Sequence, residues 1–187
     1  IYKLKAIDEK RGILRRGDLV LDCGCAPGSW LQYVATRIGD RGKAVGIDLL
    51  PMTPLPDRTV HVMEGDLRTV TPSTLRALAG IDEDVPFDVV LSDMAPNTTG
   101  HRDTDHLRSI ELCNIVLHRS VELLKEGGHL VMKVFEGSER QQGHFGVTLD
   151  IDNLFVIGQR LQIIGVFHHF ISGIQFDEPF QRGDGTR

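Results

Sequence analysis

The feature that most constrains this chain is a set of short, largely apolar runs, each closed by a glycine or an aspartate. They read "DLVLDCG", "KAVGIDLL", "VHVMEGDL", "FDVVLSDMAP" and "EGGHLVMKVFEG". Most do not alternate apolar with polar, so each must be covered on both faces, as strands of a parallel sheet are. Between them lie segments with helical apolar spacing. The pattern predicts helices over residues 2–14, 29–38, 71–79 and 105–124. Thr71 ahead of Pro72 has the form of a helix start. Strands alternating with helices define an α/β fold, a mostly parallel sheet with helices on both faces. At 187 residues, with no internal repeat or linker-like tract, the expectation is a single domain spanning 1–187.

Composition removes several classes. Apolar residues are 41% and charged residues 25%, ordinary for a globular protein. No apolar run approaches the roughly 20 residues of a membrane span, and no membrane partner is expected. Cys23, Cys25 and Cys113 are odd in number and lack a zinc-like spacing, which argues for buried thiols rather than a disulfide framework or a metal site. The net charge of −5 does not announce a nucleic-acid binder. Its distribution says more: Lys3, Lys5, Lys10, Arg11, Arg15 and Arg16 crowd the first segment against Asp8 and Glu9. Such a patch can neutralise phosphates on an acidic protein, or be a solvated helix face.

In open α/β sheets, ligands bind beyond the carboxyl ends of the strands. Here those ends carry "CGCAPG", then Asp48, Asp66 and Asp93, while the fifth strand carries Lys133 among Val131, Met132, Val134 and Phe135. Any one such aspartate is an ordinary turn former; four successive ends of this kind suggest a ligand. Glycine in the first turn lets backbone approach it closely. Asp48 follows Gly28 at the spacing of an acidic residue that accepts ribose hydroxyls. Neither G-x-G-x-x-G nor G-x-x-x-x-G-K-[ST] is present, so a dinucleotide or a cradled triphosphate is disfavoured. S-adenosyl-L-methionine has no phosphate, and its ribose hydroxyls, adenine amine, ammonium and sulfonium all suit acidic acceptors. A methyltransferase is the leading reading on chemistry. Lys133 is either a lysine snorkelling from a strand end or a functional amine that takes a proton.

Quoted together, "YKLKAIDEK", "LDCGCAPGSWLQYV", "GIDLLPM", "EGDLR", "VLSDMAPNTTG" and "LKEGGHLVMKVFEG" resemble the FtsJ/RrmJ-type ribosomal RNA 2′-O-ribose methyltransferases. The resemblance covers residues 2–142 and implies a Rossmann-like class I methyltransferase fold using S-adenosyl-L-methionine. It implies cofactor contacts at Gly28, Trp30, Asp48 (ribose), Asp66 (adenine) and Asp93 (methionine end). It makes Lys133 the catalytic base, with Lys3 and Asp93 beside it, and no metal. The implied activity is 2′-O-methylation of a ribose, a uridine's, in large-subunit ribosomal RNA, by a cytoplasmic monomer acting on the large ribosomal subunit. If a transit segment has been trimmed, the compartment is instead the mitochondrial matrix.

The resemblance ends before the tail. The family continues with a Ser-rich segment bearing a fourth functional residue, a glutamate. Residues 143–187 carry no match, and Glu178, the single late glutamate, stands in another context and receives no role. The tail instead offers an apolar, β-like "LQIIGVFHHFISGI". That divergence motivates a second reading: a catalytically weak cofactor- and RNA-binding ribosome-assembly factor of the same fold. A small-molecule O-methyltransferase is disfavoured by the basic first segment and the Lys3–Lys133 pairing.

Overall fold

The computed structural model describes residues 1–133 and the backbone of two short strands within 155–166. The elements are α1 (Tyr2–Arg11), β1 (Leu19–Cys23), α2 (Ser29–Ile38), β2 (Lys43–Asp48), β3 (Val60–Glu64), α3 (Pro72–Leu78), β4 (Phe87–Ser92), α4 (Arg102–Leu123), β5 (Leu124–Lys133), β6 (Phe155–Val156) and β7 (Gln162–Val166). They form one sheet of order β3-β2-β1-β4-β5-β7-β6. The first five strands pair in parallel, as expected. The last two are antiparallel. The β-like tail segment contains β7; β6 was not anticipated. Strand order reverses between β1 and β4, and such a switch point opens a crevice at the carboxyl ends.

Local chemistry explains where the helices stop and start. α1 ends at Arg11 rather than residue 14 because Gly12 turns left-handed (φ 63°), its N–H donating to the Asp8 carbonyl at 2.7 Å. α2 buries the stripe Trp30, Leu31, Val34 and Ile38. Thr71 caps α3, its hydroxyl accepting the Thr74 N–H at 3.1 Å, with Pro72 in the first helical position. α4 starts at Arg102, three residues before its apolar period, because Asp105 gathers the loop ahead of it. That carboxylate accepts the Thr99 N–H at 2.8 Å and the Gly100 N–H at 3.2 Å.

The sheet's pleat sends alternate residues into two cores. Val20, Ala44, Val89, Leu91 and Val131 face α1 and α2, meeting Leu4, Ile7, Leu31, Val34 and Ile38. Leu21, Val45, Ile47, Val90, Leu130 and Met132 face α3 and α4, meeting Leu75, Cys113, Val116 and Leu117. All three cysteines are free and buried. Among the described residues no helix is long and apolar enough to cross a membrane.

One close approach joins the first turn to the sheet. A Cβ on Gly46 of β2 would stand 2.7 Å from a Leu31 methyl and 2.8 Å from the Cys25 sulfur. Gly46→Ala is therefore expected to destabilise the fold by about 1–3 kcal/mol, the usual effect of overpacking a filled core. Urea unfolding measures this, and an unchanged midpoint would contradict the packing described.

Candidate active site

Parallel register assembles the site. Cys23 of β1 pairs with Ile47 of β2 and with Ser92 of β4, and Ser92 pairs with Met132 of β5. One residue further along each strand, Asp48, Gly24, Asp93 and Lys133 follow in a row across four strands. The Lys133 amine donates a hydrogen bond to Asp93 Oδ1, forming an ion pair. Its side chain is only 15% exposed, that of Asp93 36%. A lysine so withdrawn from water does not simply snorkel to solvent; it is held by a carboxylate at the crevice.

The first turn is fastened from both sides. Gly24 N–H donates to the Ile47 carbonyl at 2.8 Å. Gly24 has φ +78°, and a Cβ there would stand 2.6 Å from Met94 Cγ and 3.0 Å from the Met94 backbone. Glycine at this position thus lets the segment after Asp93 close over the end of β1. Asp48 Oδ2 accepts the Ala26 N–H and its Oδ1 accepts the Leu50 N–H, both at 2.9 Å. Asp48 therefore braces the turn, while each oxygen keeps a lone pair for another donor.

The other expected residues are placed less simply. Gly28 (φ +102°) lies beneath the end of Met52, whose terminal methyl would be 3.0 Å from an added Cβ. Trp30 is 5% exposed and belongs to the core beneath α2, so its side chain packs. The Gln32 N–H takes the Gly28 carbonyl at 3.0 Å, which leaves the N–H groups of Ser29, Trp30 and Leu31 ahead of the helical ladder. Asp66 is held by Arg68, whose Nη2 reaches Oδ2 at 2.6 Å. That side-chain hydrogen bond, first among the causes, lowers the Asp66 pKa. Lys3 is exposed on α1 and makes no hydrogen bond or ion pair among the described residues. Glu178 and the tail histidines lie outside the described residues.

The structure adds one acid that the sequence reading passed over. Asp22 sits within β1, in register with Gly46 and Leu91, on the face that α2 covers. It is 0% exposed, and neither carboxylate oxygen has a hydrogen-bond partner among the described residues. Burial, reinforced by the charges of Asp93 and then Asp48, raises its pKa from 3.8 to about 8. The signal was available: an aspartate inside an otherwise apolar strand is costly unless it serves something. Asp22, Asp48 and Asp93 together offer acceptors to a ligand rich in donors and positive charge, and the orphaned oxygens of Asp22 are the observation that fits such a group best. Among the described residues no cluster of His, Cys, Asp and Glu could hold a metal ion.

Two outcomes follow from this geometry. Gly24→Ala places a side chain in left-handed backbone, at a cost of about 1–2 kcal/mol, and pushes Met94 and with it Asp93 away from Lys133. The ligand-binding enthalpy measured by calorimetry is expected to fall with stability; an unchanged binding isotherm would contradict the close approach. Asp22 holds a proton in the folded protein that the unfolded chain releases above 3.8. Its stabilising contribution is therefore present at low pH and lost as pH rises to about 8. Asp22→Asn does not titrate, so its stability relative to the parent should improve steadily across that window. Urea midpoints measured at successive pH values test this, and parallel curves would refute it.

Comparison with known proteins adds family to geometry. The family profile for FtsJ-like methyltransferases matches residues 1–149. The chain is 44% identical over 137 residues to a "Ribosomal RNA large subunit methyltransferase E" of Desulfatibacillum aliphaticivorans, covering 73% of this chain and 64% of that protein. A protein of the same name from Halorubrum lacusprofundi is 44% identical over 139 residues, covering 74% of this chain and 51% of its own length. The chain thus spans between half and two thirds of these two relatives. Among solved structures, a putative ribosomal RNA methyltransferase from Plasmodium falciparum aligns with TM-score 0.74 and 26% identity over 89% of this chain and 95% of that one. Fibrillarin of Aeropyrum pernix, crystallised with S-adenosyl-L-methionine, shares the fold, at TM-score 0.57 and 18% identity over 87% of this chain and 74% of its own. Sequence motifs, strand order and the profile match over most of the chain agree, and the chain belongs to the FtsJ-like methyltransferase family.

Proposed function

We propose that this chain transfers a methyl group from S-adenosyl-L-methionine to a ribose 2′-hydroxyl, that of a uridine, in large-subunit ribosomal RNA. The observation that carries the reading is the Lys133–Asp93 pair at adjacent strand ends, one strand from the glycine turn. The cofactor supplies an electrophilic methyl group on a sulfonium. Asp48 would hold its ribose hydroxyls, Asp66 its adenine amine, and Asp93 its methionine end. Gly28 would let backbone approach, and Trp30 would contribute its N–H rather than its buried ring.

The remaining chemistry falls to the protein. A ribose hydroxyl is a weak nucleophile and must lose its proton as it attacks. The Lys133 amine takes that proton in its neutral form and becomes an ammonium, and Asp93, which accepts a hydrogen bond from it, keeps it in one orientation. Holding the reactants in line supplies a large part of the rate. Lys3, Lys5 and Lys10, all exposed on α1, attract the RNA backbone. Only RNA offers the reacting hydroxyl, which separates it from DNA without a further device.

The names of the relatives support ribosomal RNA as the substrate class. The assembled large subunit as its form, a monomeric enzyme, one domain across the chain and a cytoplasmic or mitochondrial-matrix setting belong to the same proposal. The reading as a catalytically weak assembly factor draws no support from a site that retains its amine and its carboxylates.

Transfer of labelled methyl from S-adenosyl-L-methionine to large-subunit particles tests the proposal. Lys133→Ala should lower kcat by about 10²- to 10⁴-fold, the span of a lost general base, while calorimetry shows cofactor affinity unchanged. Transfer at the parent rate by Lys133→Ala would remove Lys133 from the chemistry. No transfer by the intact protein to any ribosomal RNA would overturn the function.

A further inference from the structure

Among the described residues Asp8 and Asp22 are the two carboxylates buried to about 1% exposure or less, and the situation of Asp8 is the opposite one. Three donors from two other segments meet its two oxygens. Its Oδ1 accepts the Leu14 N–H at 2.9 Å, from the segment that follows α1. Its Oδ2 accepts the Tyr33 hydroxyl at 2.9 Å and the Arg37 Nε at 2.7 Å, both from α2. Tyr33 and Arg37 are four residues apart, so they present neighbouring donors on one side of that helix. The Tyr33 hydroxyl is raised to about 12, by desolvation first and then by its bond to Asp8, and so stays a donor.

A charge buried this deeply is costly unless several donors meet it. What the arrangement does is directional. α1 is otherwise held by two buried apolar side chains, Leu4 and Ile7. Apolar contact is non-directional and tolerates rotation of a short helix about its axis, whereas hydrogen bonds weaken steeply as they bend. Two donors from α2, Tyr33 and Arg37, on a carboxylate that the Leu14 N–H also holds, set the rotation and depth of α1 against α2. α2 in turn grows from the first turn at Gly28, which Asp48 braces through Ala26. Along α1, Lys3, Lys5 and Lys10 point outward while Leu4, Ile7 and Asp8 point inward. Leu4, next to Lys3, shares its core with Trp30 of α2 and Val131 of β5.

We infer that Asp8, with Tyr33 and Arg37, is a positioning cluster that fixes the basic helix α1 against α2, and thereby sets where the RNA backbone lies relative to Lys133 and Asp93. The inference rests on the function proposed above. Asp8 touches no reacting atom; it acts through α1.

Steady-state methyl transfer to large-subunit particles, with cofactor affinity from calorimetry, separates this role from a general loss of fold. Asp8→Asn is expected to raise KM for RNA and lower kcat, reducing kcat/KM for RNA by about 10- to 100-fold, the scale of a misplaced reactant, with cofactor affinity unchanged. Tyr33→Phe removes one donor and should shift the same parameters in the same direction by less. Arg37→Lys should retain more of the RNA kinetics than Arg37→Met. Where Asp8→Asn does not fold, Tyr33→Phe and the two Arg37 variants decide. RNA kinetics unchanged in these variants, or cofactor affinity falling in step with turnover, overturns the inference while leaving the function standing. Absence of transfer by the parent protein overturns both.

Discussion

The site depends on one constraint: β1, β2, β4 and β5 run parallel and in register, so their carboxyl ends stop on a common line. Residues far apart in the chain become neighbours because each follows a paired residue. Gly24 follows Cys23, Asp48 follows Ile47, Asp93 follows Ser92 and Lys133 follows Met132. A slip of one residue in any pairing would turn a functional side chain to the opposite face. Close packing resists that slip, since it would carry Val20 or Leu91 from the core under α1 and α2 into the one under α3 and α4, where other side chains already fill the space.

On that line the electrostatics are lopsided. Three carboxylates, Asp22, Asp48 and Asp93, gather near one amine. Each is handled differently. Asp93 takes the Lys133 amine, Asp48 is absorbed by two backbone N–H groups, and Asp22 is left with its oxygens unpartnered among the described residues. A fold indifferent to ligands would not retain the last of these, because a buried carboxyl without a partner is among the more costly things a strand can hold. Beside it, Gly24 and Gly46 remove two Cβ atoms so that Met94, Cys25 and Leu31 can close around the turn. Packing and acidity thus meet at the same few residues.

Much of this was legible beforehand, and the reasons are physical. The five parallel strands announced themselves because strands covered on both faces cannot alternate polar with apolar. Asp48, Asp93 and Lys133 could be singled out because a polar residue that closes an apolar run must lie at the sheet's rim. Helix limits were less legible. α1 stops at Arg11 because of Asp8 and the left-handed Gly12, and α4 begins at Arg102 because Asp105 reaches back to Thr99; neither effect has an apolar period. The two uses of aspartate within hydrophobic surroundings, Asp8 and Asp22, were passed over because one reads as part of a charged helix and the other as part of a strand motif.

The sequence by itself determined the order of strands and helices, the rim that each polar residue would reach, and the family, since these follow from periodicity and from motifs that are local in the chain. Only the tertiary structure decided which of those residues meet. Lys133 finds Asp93 across a strand pair, Arg68 rather than a strand neighbour occupies Asp66, the Trp30 ring turns into the core, and Asp8 gathers donors from two other segments. Pairings of that kind depend on register and helix rotation, which are settled by packing between segments remote in sequence and leave no periodic trace along it.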